Sequence, residues 1–292
     1  MVRLIKLNYT IVIFAIMLCI SLVGCQYFNQ HENGNPQDQL DEFEHTTYEQ
    51  ERDLPDKQPQ LEGGSERDVR KPHPVSNNIL QKEFPNALFL NGSPSTNQVA
   101  LTFDDGPDIR FTPQVLDVLA KHDVKATFFL IGARAKEHNE ITKRIHDEGH
   151  AIGNHTYWHP NLPKEGLGRL HWELTQTEQV IEDITGIKPR LFRSPYGALN
   201  EEMIKMLEEK DNTVIGWNVD SLDWKQPGED VVADNVLSNV GFGSIILMHD
   251  GGDWTMDLSG TAQALDKIIT KLKNDGTEFV TVPELVGVPE AK

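Results

Sequence analysis

The sequence from Asn86 onward predicts a parallel α/β fold. Seven short apolar runs typical of strands alternate with six segments whose apolar residues recur at helical spacing. Such alternation is typical of folds built from βα units. Several of the predicted helices end at a glycine, as helices commonly do. A β/α barrel and an open doubly wound sheet both fit this pattern, because periodicity does not distinguish them.

The predicted elements follow one another without an internal repeat. The strand-like runs cover residues 99–103, 126–131, 150–154, 189–193, 213–219, 244–249 and 279–282. The helical segments cover residues 114–122, 141–148, 174–185, 201–210, 230–240 and 261–273. Polar residues capable of chemistry stand where five of these strands end, at Asp104, Asn154, Arg193, Asp220 and His249. In parallel α/β folds this edge of the sheet carries the active site.

The N-terminus is typical of an export signal. Arg3 and Lys6 are basic, and residues 10–24 carry no charge, which predicts a signal peptide over residues 1–24. This stretch is short for a transmembrane helix, which needs about 20 apolar residues. Small residues before Cys25 resemble a bacterial lipobox, so we expect diacylation of Cys25 and anchoring to the outer face of the cell membrane. An ordinary signal peptide and an uncleaved anchor are the alternatives.

Residues 25–85 are rich in Gln, Asn, Glu, Asp and Pro, and their apolar residues follow no period. We predict that the lipidated cysteine is followed here by a disordered acidic tether, with a small separate domain as the alternative. The catalytic domain is then expected over residues 86–292. The two cysteines, Cys19 and Cys25, both lie in the leader, so the mature domain has no disulfide to form.

The formal net charge of −18 makes nucleic acid an unsuitable partner. A neutral or cationic polymer suits this surface better, and we expect the chain to act as a monomer.

Two short motifs could bind a cation. Asp104 and Asp105 are adjacent at a strand end, where their repulsion needs a compensating charge, although Asp-Gly-Pro also favours a plain turn. His155 and His159 are spaced to meet on one face of a helical turn, although such pairs are common by chance. Two histidines and one carboxylate would leave a coordination position open, as catalytic metal sites require.

Three further motifs have both a structural and a functional interpretation. Arg193-Ser194-Pro195-Tyr196-Gly197 fits a rigid turn, and Asp220-Ser221-Leu222-Asp223-Trp224 fits a loop with a packed Trp. Leu247-Met248-His249-Asp250 fits a buried strand that ends in a satisfied histidine. Each motif alone leaves these structural interpretations open.

Together the five motifs, in this order, resemble the polysaccharide deacetylases with a NodB-type domain, carbohydrate esterase family 4. They span residues 102–250, nearly all of the folded part. The resemblance implies an irregular (β/α) barrel with mostly parallel strands.

The resemblance also implies roles for matching positions. It implies Asp105, His155 and His159 as metal ligands, Asp104 as general base held by Arg193, and His249 as general acid oriented by Asp223. The backbone N–H of Tyr196 would help stabilise the oxyanion. Trp224, Leu247 and Pro195 would line the acetyl pocket, and Asp220 would be a support residue. The implied cofactor is one divalent metal ion, zinc first, with cobalt or nickel as alternatives.

The activity implied is removal of N-acetyl groups from an N-acetylated cell-envelope glycan, with release of acetate. For an exported, anchored enzyme the first substrate is peptidoglycan N-acetylglucosamine or a chitin-like oligosaccharide. An O-acetyl esterase acting on a wall or plant polysaccharide is one alternative. A catalytically silent wall-binding lipoprotein is the other.

Overall fold

The structure, a computed structural model, describes residue 62 and residues 77–292. Cys25, the signal peptide and most of the predicted tether lie outside the described residues. Within the described part, no helix has both the length and the apolar character needed to span a membrane.

Helices and strands alternate along the described chain. The strands are β1 (Leu88–Phe89), β2 (Gln98–Asp104), β3 (Thr127–Leu130), β4 (Ala151–Asn154), β5 (Leu191–Phe192), β6 (Thr213–Ile215), β7 (Val219–Asp220), β8 (Ile245–His249) and β9 (Glu278–Phe279). The α-helices are α1 (Asn77–Glu83), α2 (Thr112–Lys121), α3 (Gly132–Glu137), α4 (Asn139–Asp147), α5 (Leu167–Thr185), α6 (Glu201–Glu209), α7 (Glu229–Leu237), α8 (Ser259–Asn274) and α9 (Val282–Val286). Single 3₁₀ turns lie at Leu162–Lys164, Pro195–Gly197 and Asp223–Lys225.

The strands form one parallel sheet in the order β1-β6-β5-β4-β3-β2-β8-β7, with β9 beside the start of β2. β6 and β7 are six strands apart in this order, which is about 29 Å in a flat sheet. However, only residues 216–218 connect them, and that link spans no more than about 14 Å. The sheet must therefore curl until its two ends approach each other. The predicted barrel of mostly parallel strands is confirmed.

The alternation of side chains along β2 divides the core from the site. Leu101 and Phe103 belong to the main apolar cluster between the sheet and its surrounding helices, where the rings of Phe103 and Phe128 stack with centroids 5.1 Å apart. Thr102 and Asp104 alternate with these residues along β2. Both accept a hydrogen bond from Arg193 on the opposite face of the sheet. Because successive strand side chains point to opposite faces, this register places Asp104 inside the barrel mouth.

Several predicted boundaries were wrong. The run 213–219 is two strands, because residues 216–218 cross from one edge of the sheet to the other. The run 279–282 ends as a strand at Phe279, and its last residue begins α9, whose N-terminus is closed by a capping box between Thr281 and Glu284. Sequence periodicity also missed β1, α1 and α3.

The folded region begins before residue 86, the start that we predicted. In α1, Leu80 is buried in the cluster beneath α5 and α6, and Asn77 Nδ2 donates a hydrogen bond to the carbonyl of Gly197 at 3.1 Å. Glu62 also contacts the barrel, through Trp158 and Arg169. The predicted tether therefore contains ordered residues, because some of its apolar and polar side chains find partners on the barrel.

Candidate active site

The predicted site residues lie on or just after strands, at the carboxyl-end edge of the curled sheet. Asp104 ends β2, Asp220 ends β7 and His249 ends β8. Arg193 directly follows β5, and His155 directly follows β4. Parallel strands deliver all of these ends to one edge, so residues up to 145 positions apart in the sequence share one cleft.

Three side chains converge as a metal-binding cluster. Asp105 Oδ1 lies 3.3 Å from His155 Nε2 and 3.1 Å from His159 Nε2. One ligand atom from each residue lies within 4.8 Å of the others, and all three residues are buried. None of the three atoms has a hydrogen-bond partner among the described residues. Buried polar atoms without partners are costly, and a divalent cation with Asp and His ligands would satisfy all three.

The outer nitrogens of both histidines are already engaged. His155 Nδ1 lies 2.8 Å from the carbonyl oxygen of Arg193, so Nδ1 carries the proton and Nε2 is the nitrogen that can bind a metal. His159 Nδ1 lies 3.0 Å from the hydroxyl oxygen of Tyr196, a contact that orients the second ring. This arrangement orients ligands before any cation arrives.

The histidines meet through a loop, whereas we predicted a helical turn. Thr156 and His159 adopt φ values of 67° and 58°, which no α-helix contains. The hydroxyl of Thr156 accepts the backbone N–H of His159 at 3.0 Å, and Asn154 Oδ1 accepts that of Thr156 at 2.8 Å. These local hydrogen bonds replace helical ones, and they explain why a hydroxyl residue stands at position 156.

Arg193 holds Asp104 in place. Its Nη1 donates to Asp104 Oδ1 at 2.7 Å and to the Thr102 hydroxyl at 2.8 Å. Nε and Nη2 donate to the carbonyls of Ile215 and Gly216 at 3.1 Å and 3.0 Å. The guanidinium lies 4.0 Å from the centroid of the Phe129 ring. One carboxylate oxygen of Asp104 is therefore fixed, and Oδ2 faces His155 Nε2 at 3.8 Å.

Asp223 and His249 form a separate pair. Asp223 Oδ1 lies 2.7 Å from His249 Nδ1, and Oδ2 accepts the backbone N–H of His249 at 2.8 Å and the Thr261 hydroxyl at 3.0 Å. Burial alone would raise the pKa of Asp223, but the charge and hydrogen bonds of His249 hold it below its usual value. The ionised form of Asp223 is therefore favoured, and it can stabilise the protonated form of His249.

The three residues predicted to line an acetyl pocket are all buried. Trp224 is buried in a small apolar cluster with Phe111 and Met256, and Leu247 is buried in β8. Pro195 is buried in the 3₁₀ turn Pro195–Gly197. Asp220 is half-buried at the end of β7, and its Oδ1 accepts the backbone N–H of Leu222 at 2.9 Å. Asp220 thus shapes the loop that carries Asp223.

Two buried acids near the cluster have opposite electrostatics. Burial would raise the pKa of Asp105, but His159 and His155 lower it well below its usual value. Burial raises the pKa of Asp250 to about 8, although the Thr112 hydroxyl donates to its Oδ2 at 2.7 Å. The ionised form of Asp105 is therefore favoured and suits a cation, whereas burial favours the neutral form of Asp250.

Arg134 is a residue of the site that sequence reasoning missed. It is buried in α3, and its Nη1 and Nη2 donate at 2.6 Å to the carbonyls of Asp105 and Gly252. These bonds join the loop after β2 to the loop after β8. A lone Arg in a short helix carries no pattern that predicts this, because its partners are backbone atoms distant in sequence.

The barrel and the grouping of a cation cluster with a fixed carboxylate and an Asp–His pair define the class of metal-dependent hydrolases. Comparison with known proteins narrows the class. The polysaccharide deacetylase family matches residues 91–215. A peptidoglycan-N-acetylglucosamine deacetylase from Bacillus cereus is 45% identical over 201 residues, which cover 68% of this chain and 72% of the relative.

Solved structures agree with this. The structure of the Bc1960 peptidoglycan N-acetylglucosamine deacetylase has a TM-score of 0.70 at 41% identity, covering 73% of this chain and 99% of its own. A carbohydrate esterase family 4 pseudoenzyme from Bacillus anthracis has a TM-score of 0.64 at 37% identity, covering 68% of each chain. The chain belongs to the polysaccharide deacetylase family, which includes metal-dependent hydrolases of N-acetyl amides.

Proposed function

We propose that this protein removes N-acetyl groups from N-acetylglucosamine of peptidoglycan and releases acetate, with zinc as its metal. The observation that carries the proposal is the convergence of Asp105, His155 and His159 beside a carboxylate that Arg193 fixes. Because the family includes a pseudoenzyme, membership alone does not establish catalysis. Every group that the chemistry needs is present in this chain, and that supports an active enzyme.

A bound metal would be held by Asp105, His155 and His159, and it would supply Lewis-acid chemistry that polarises the acetyl carbonyl and makes water a better nucleophile. Asp104 is the general base. Its Oδ1 is occupied by Arg193, and its Oδ2 faces the ligand cluster, where it can accept the proton of an attacking water. A base and an acid each contribute roughly 100-fold to 10,000-fold.

His249 completes the reaction as general acid. An amide nitrogen leaves only as an amine, so a proton must reach it as the tetrahedral intermediate collapses. Asp223 occupies His249 Nδ1, so the proton is delivered from Nε2. The backbone N–H of Tyr196 stabilises the oxyanion, a contribution worth roughly 3 kcal/mol for one donor.

Three observations support the substrate. The relative from B. cereus and the Bc1960 enzyme are both peptidoglycan N-acetylglucosamine deacetylases. The net charge of −18 suits a polymer that gains free amines as the reaction proceeds. The export signal predicted over residues 1–24 would bring the enzyme to the cell wall. Zinc is proposed because it prefers nitrogen ligands with one carboxylate in an open site.

We further propose that Cys25 is diacylated and holds a monomer at the outer face of the cell membrane. The support is the sequence Leu22-Val23-Gly24-Cys25 at the end of an uncharged stretch. Cys25→Ala is expected to release the protein from membranes into the medium. Retention of the variant in washed membranes would show that another segment anchors it. Light scattering of the soluble mature chain checks the monomer.

The test of function is acetate release by residues 26–292 from purified peptidoglycan and from N-acetylglucosamine oligomers. We expect release that a chelator abolishes and that zinc or cobalt restores. Asp104→Asn should lose at least about 100-fold in rate. Asp230→Asn, an exposed carboxylate paired with Lys267, is the matched control and should keep full rate.

Full activity after exhaustive chelation would contradict the mechanism. Acetate release from O-acetylated but not from N-acetylated polymer would instead identify an esterase. No release from any polymer by the zinc-loaded protein would identify a wall-binding protein.

A further inference from the structure

The loop that carries the two metal-binding histidines has an unusually complete set of backbone partners. The N–H groups of Tyr157 and Trp158 both donate to Glu173 Oε2, at 2.5 Å and 2.8 Å. Asn154 Oδ1 and the Thr156 hydroxyl accept the backbone N–H groups of Thr156 and His159. The four successive N–H groups of residues 156–159 therefore all donate to side-chain oxygens. Only Glu173 among these acceptors lies outside the β4 strand and its loop.

The carbonyls on the other side of the loop are also engaged. Those of Thr156 and Tyr157 accept the backbone N–H groups of Gly132 and Ala133, at 2.9 Å and 3.1 Å. The carbonyl of Trp158 accepts the backbone N–H of Glu62 at 2.9 Å. Glu62 lies N-terminal to the residues 91–215 that the family matches, so this contact comes from outside the matched region.

Arg169 connects the two outside contributors. Its Nε donates to Glu173 Oε1 at 2.7 Å, and its Nη2 donates to Glu62 Oε2 at 2.5 Å. Glu173 is fully buried, and Arg169 is nearly so. A buried carboxylate needs compensation. Burial raises the pKa of Glu173 to about 7, and Arg169 and the two backbone donors offset part of that effect. Glu62 and Glu173 therefore both form hydrogen bonds to the backbone of residues 157–158.

The loop needs such support. Thr156 and His159 hold left-handed φ values, and for a β-branched residue this conformation costs of the order of 1–3 kcal/mol. A loop that relaxed this strain would move His159 relative to His155 and Asp105. Metal ligands lose affinity when their geometry is not held, and outer partners are typically worth 10-fold to 100-fold.

We propose that Glu173, Arg169 and Glu62 form a brace that positions the metal-binding loop and sets its affinity for the cation. The inference rests on the proposed function, since it requires Asp105, His155 and His159 to bind a metal. Glu173 and Arg169 are the fixed part, contributed by α5. Glu62 is the part that the chain adds from the segment between the export signal and the barrel.

Metal binding and docking of Glu62 should reinforce each other. If docking of Glu62 increases metal affinity by some factor, metal binding must increase docking of Glu62 by the same factor. Metal loading is thus coupled to the attachment of the N-terminal segment. Proteolysis near residue 62 should be slower in the zinc-loaded protein than in the metal-free protein, and slower digestion should disappear in Glu62→Ala.

The main experiment is a competition titration of zinc against a chromophoric chelator, with residues 26–292 and its variants. Glu173→Gln should raise the zinc dissociation constant by about 10-fold to 100-fold, and Glu62→Ala by about 3-fold to 10-fold. Glu178→Gln is the matched control. It removes another buried, ion-paired carboxylate from the same helix, held by Lys292 at 2.5 Å, but it does not touch the loop.

Glu178→Gln should lower thermal stability without changing the zinc dissociation constant. Glu165→Ala, an exposed carboxylate before α5, is the control for Glu62→Ala and should change neither quantity. If Glu62→Ala and Glu173→Gln bind zinc as tightly as the parent, the brace does not exist. If the parent itself binds no zinc, the proposed function fails instead, so the two failures are distinguishable. Because Glu62 is exposed, its variant tests the proposal even if Glu173→Gln does not fold.

Discussion

The two halves of the active site use the same residue types for opposite purposes. In the metal-binding half, the inner atoms of Asp105, His155 and His159 face one another without hydrogen bonds. In the proton-donor half, each oxygen of Asp223 has its own partner, the ring of His249 on one side and its backbone on the other. The first half is incomplete without a cation, whereas in the second half the protein itself supplies a partner to each carboxylate oxygen.

The difference comes from which imidazole nitrogen the surroundings engage. His155 and His159 have Nδ1 engaged by a carbonyl and a phenol, so Nε2 points at the carboxylate and a shared space. His249 has Nδ1 engaged by the carboxylate itself, so Nε2 is the nitrogen for the substrate. A histidine beside an aspartate is therefore a metal ligand or an acid according to its outer partner.

The largest effect is expected from a variant that disrupts the metal-binding half alone. In His155→Ala the cluster loses one of its ligands, so we expect the purified protein to contain less than a tenth of the parent's metal. Loss of several kcal/mol of Lewis-acid stabilisation corresponds to at least about 1,000-fold in rate. Metal analysis and acetate release measure both. A variant with full metal content would exclude His155 as a ligand.

The next largest effect is expected from a variant that disrupts the proton-donor half alone. His249→Ala should keep its metal, because His249 is not part of the cluster, and turnover should fall by about 100-fold to 10,000-fold. The same two assays apply. Equal loss of metal in His249→Ala and His155→Ala would mean that the two halves are not separate.

A milder change sharpens the comparison by altering an outer partner. Tyr196→Phe removes the hydroxyl beside His159 Nδ1 but keeps the backbone N–H assigned to the oxyanion. Zinc affinity should fall by about 10-fold, and turnover at saturating zinc should fall less. Zinc titration and steady-state rates separate the two quantities. A loss confined to turnover would assign the Tyr196 hydroxyl to the reaction rather than to the ligand.

The smallest effect concerns a histidine outside both halves. Burial first, and then Lys125, lower the pKa of His150 from 6.5 to about 4, and its Nδ1 accepts the N–H of Ala126. The fold favours neutral His150. Its contribution to the free energy of unfolding is therefore fully present above pH 6.5 and is lost as the pH drops towards 4. The full loss is roughly 3 kcal/mol. In His150→Asn, the free energy of unfolding should depend less on pH across that range. An unchanged dependence on pH would mean that other groups cause it.

The order of elements and the grouping of the site residues were predictable from sequence. Strand ends bearing Asp104, Arg193 and His249 had to meet because parallel strands share one carboxyl edge. The conformation between His155 and His159 was not predictable. Spacing at i and i+4 suggests a helix, but the loop is set by Glu173 and by backbone groups of α3, which are distant in sequence.

Boundaries failed where tertiary contacts override periodicity. The run 213–219 is rich in residues that favour strands, although Gly216 and Asn218 are not among them. Closing the barrel forces residues 216–218 to leave one edge and join the other. Composition predicted a tether up to residue 85, because composition cannot register that Leu80 and Glu62 have partners on the barrel. Arg134 was missed because its partners are carbonyl oxygens, which carry no signature in sequence.

Arg193 has a consequence for how such a protein changes over evolutionary time. Its guanidinium binds the catalytic Asp104, but it also joins β2 to the chain after β6 and packs on Phe129. Selection for a folded barrel therefore retains this arginine even after selection for catalysis ends. We expect lineages that become inactive to drift first at Asp104 or at a metal ligand, and to keep the arginine as a record of the ancestral enzyme. A silent relative lacking the arginine while retaining the acid and the ligands would contradict that order of loss.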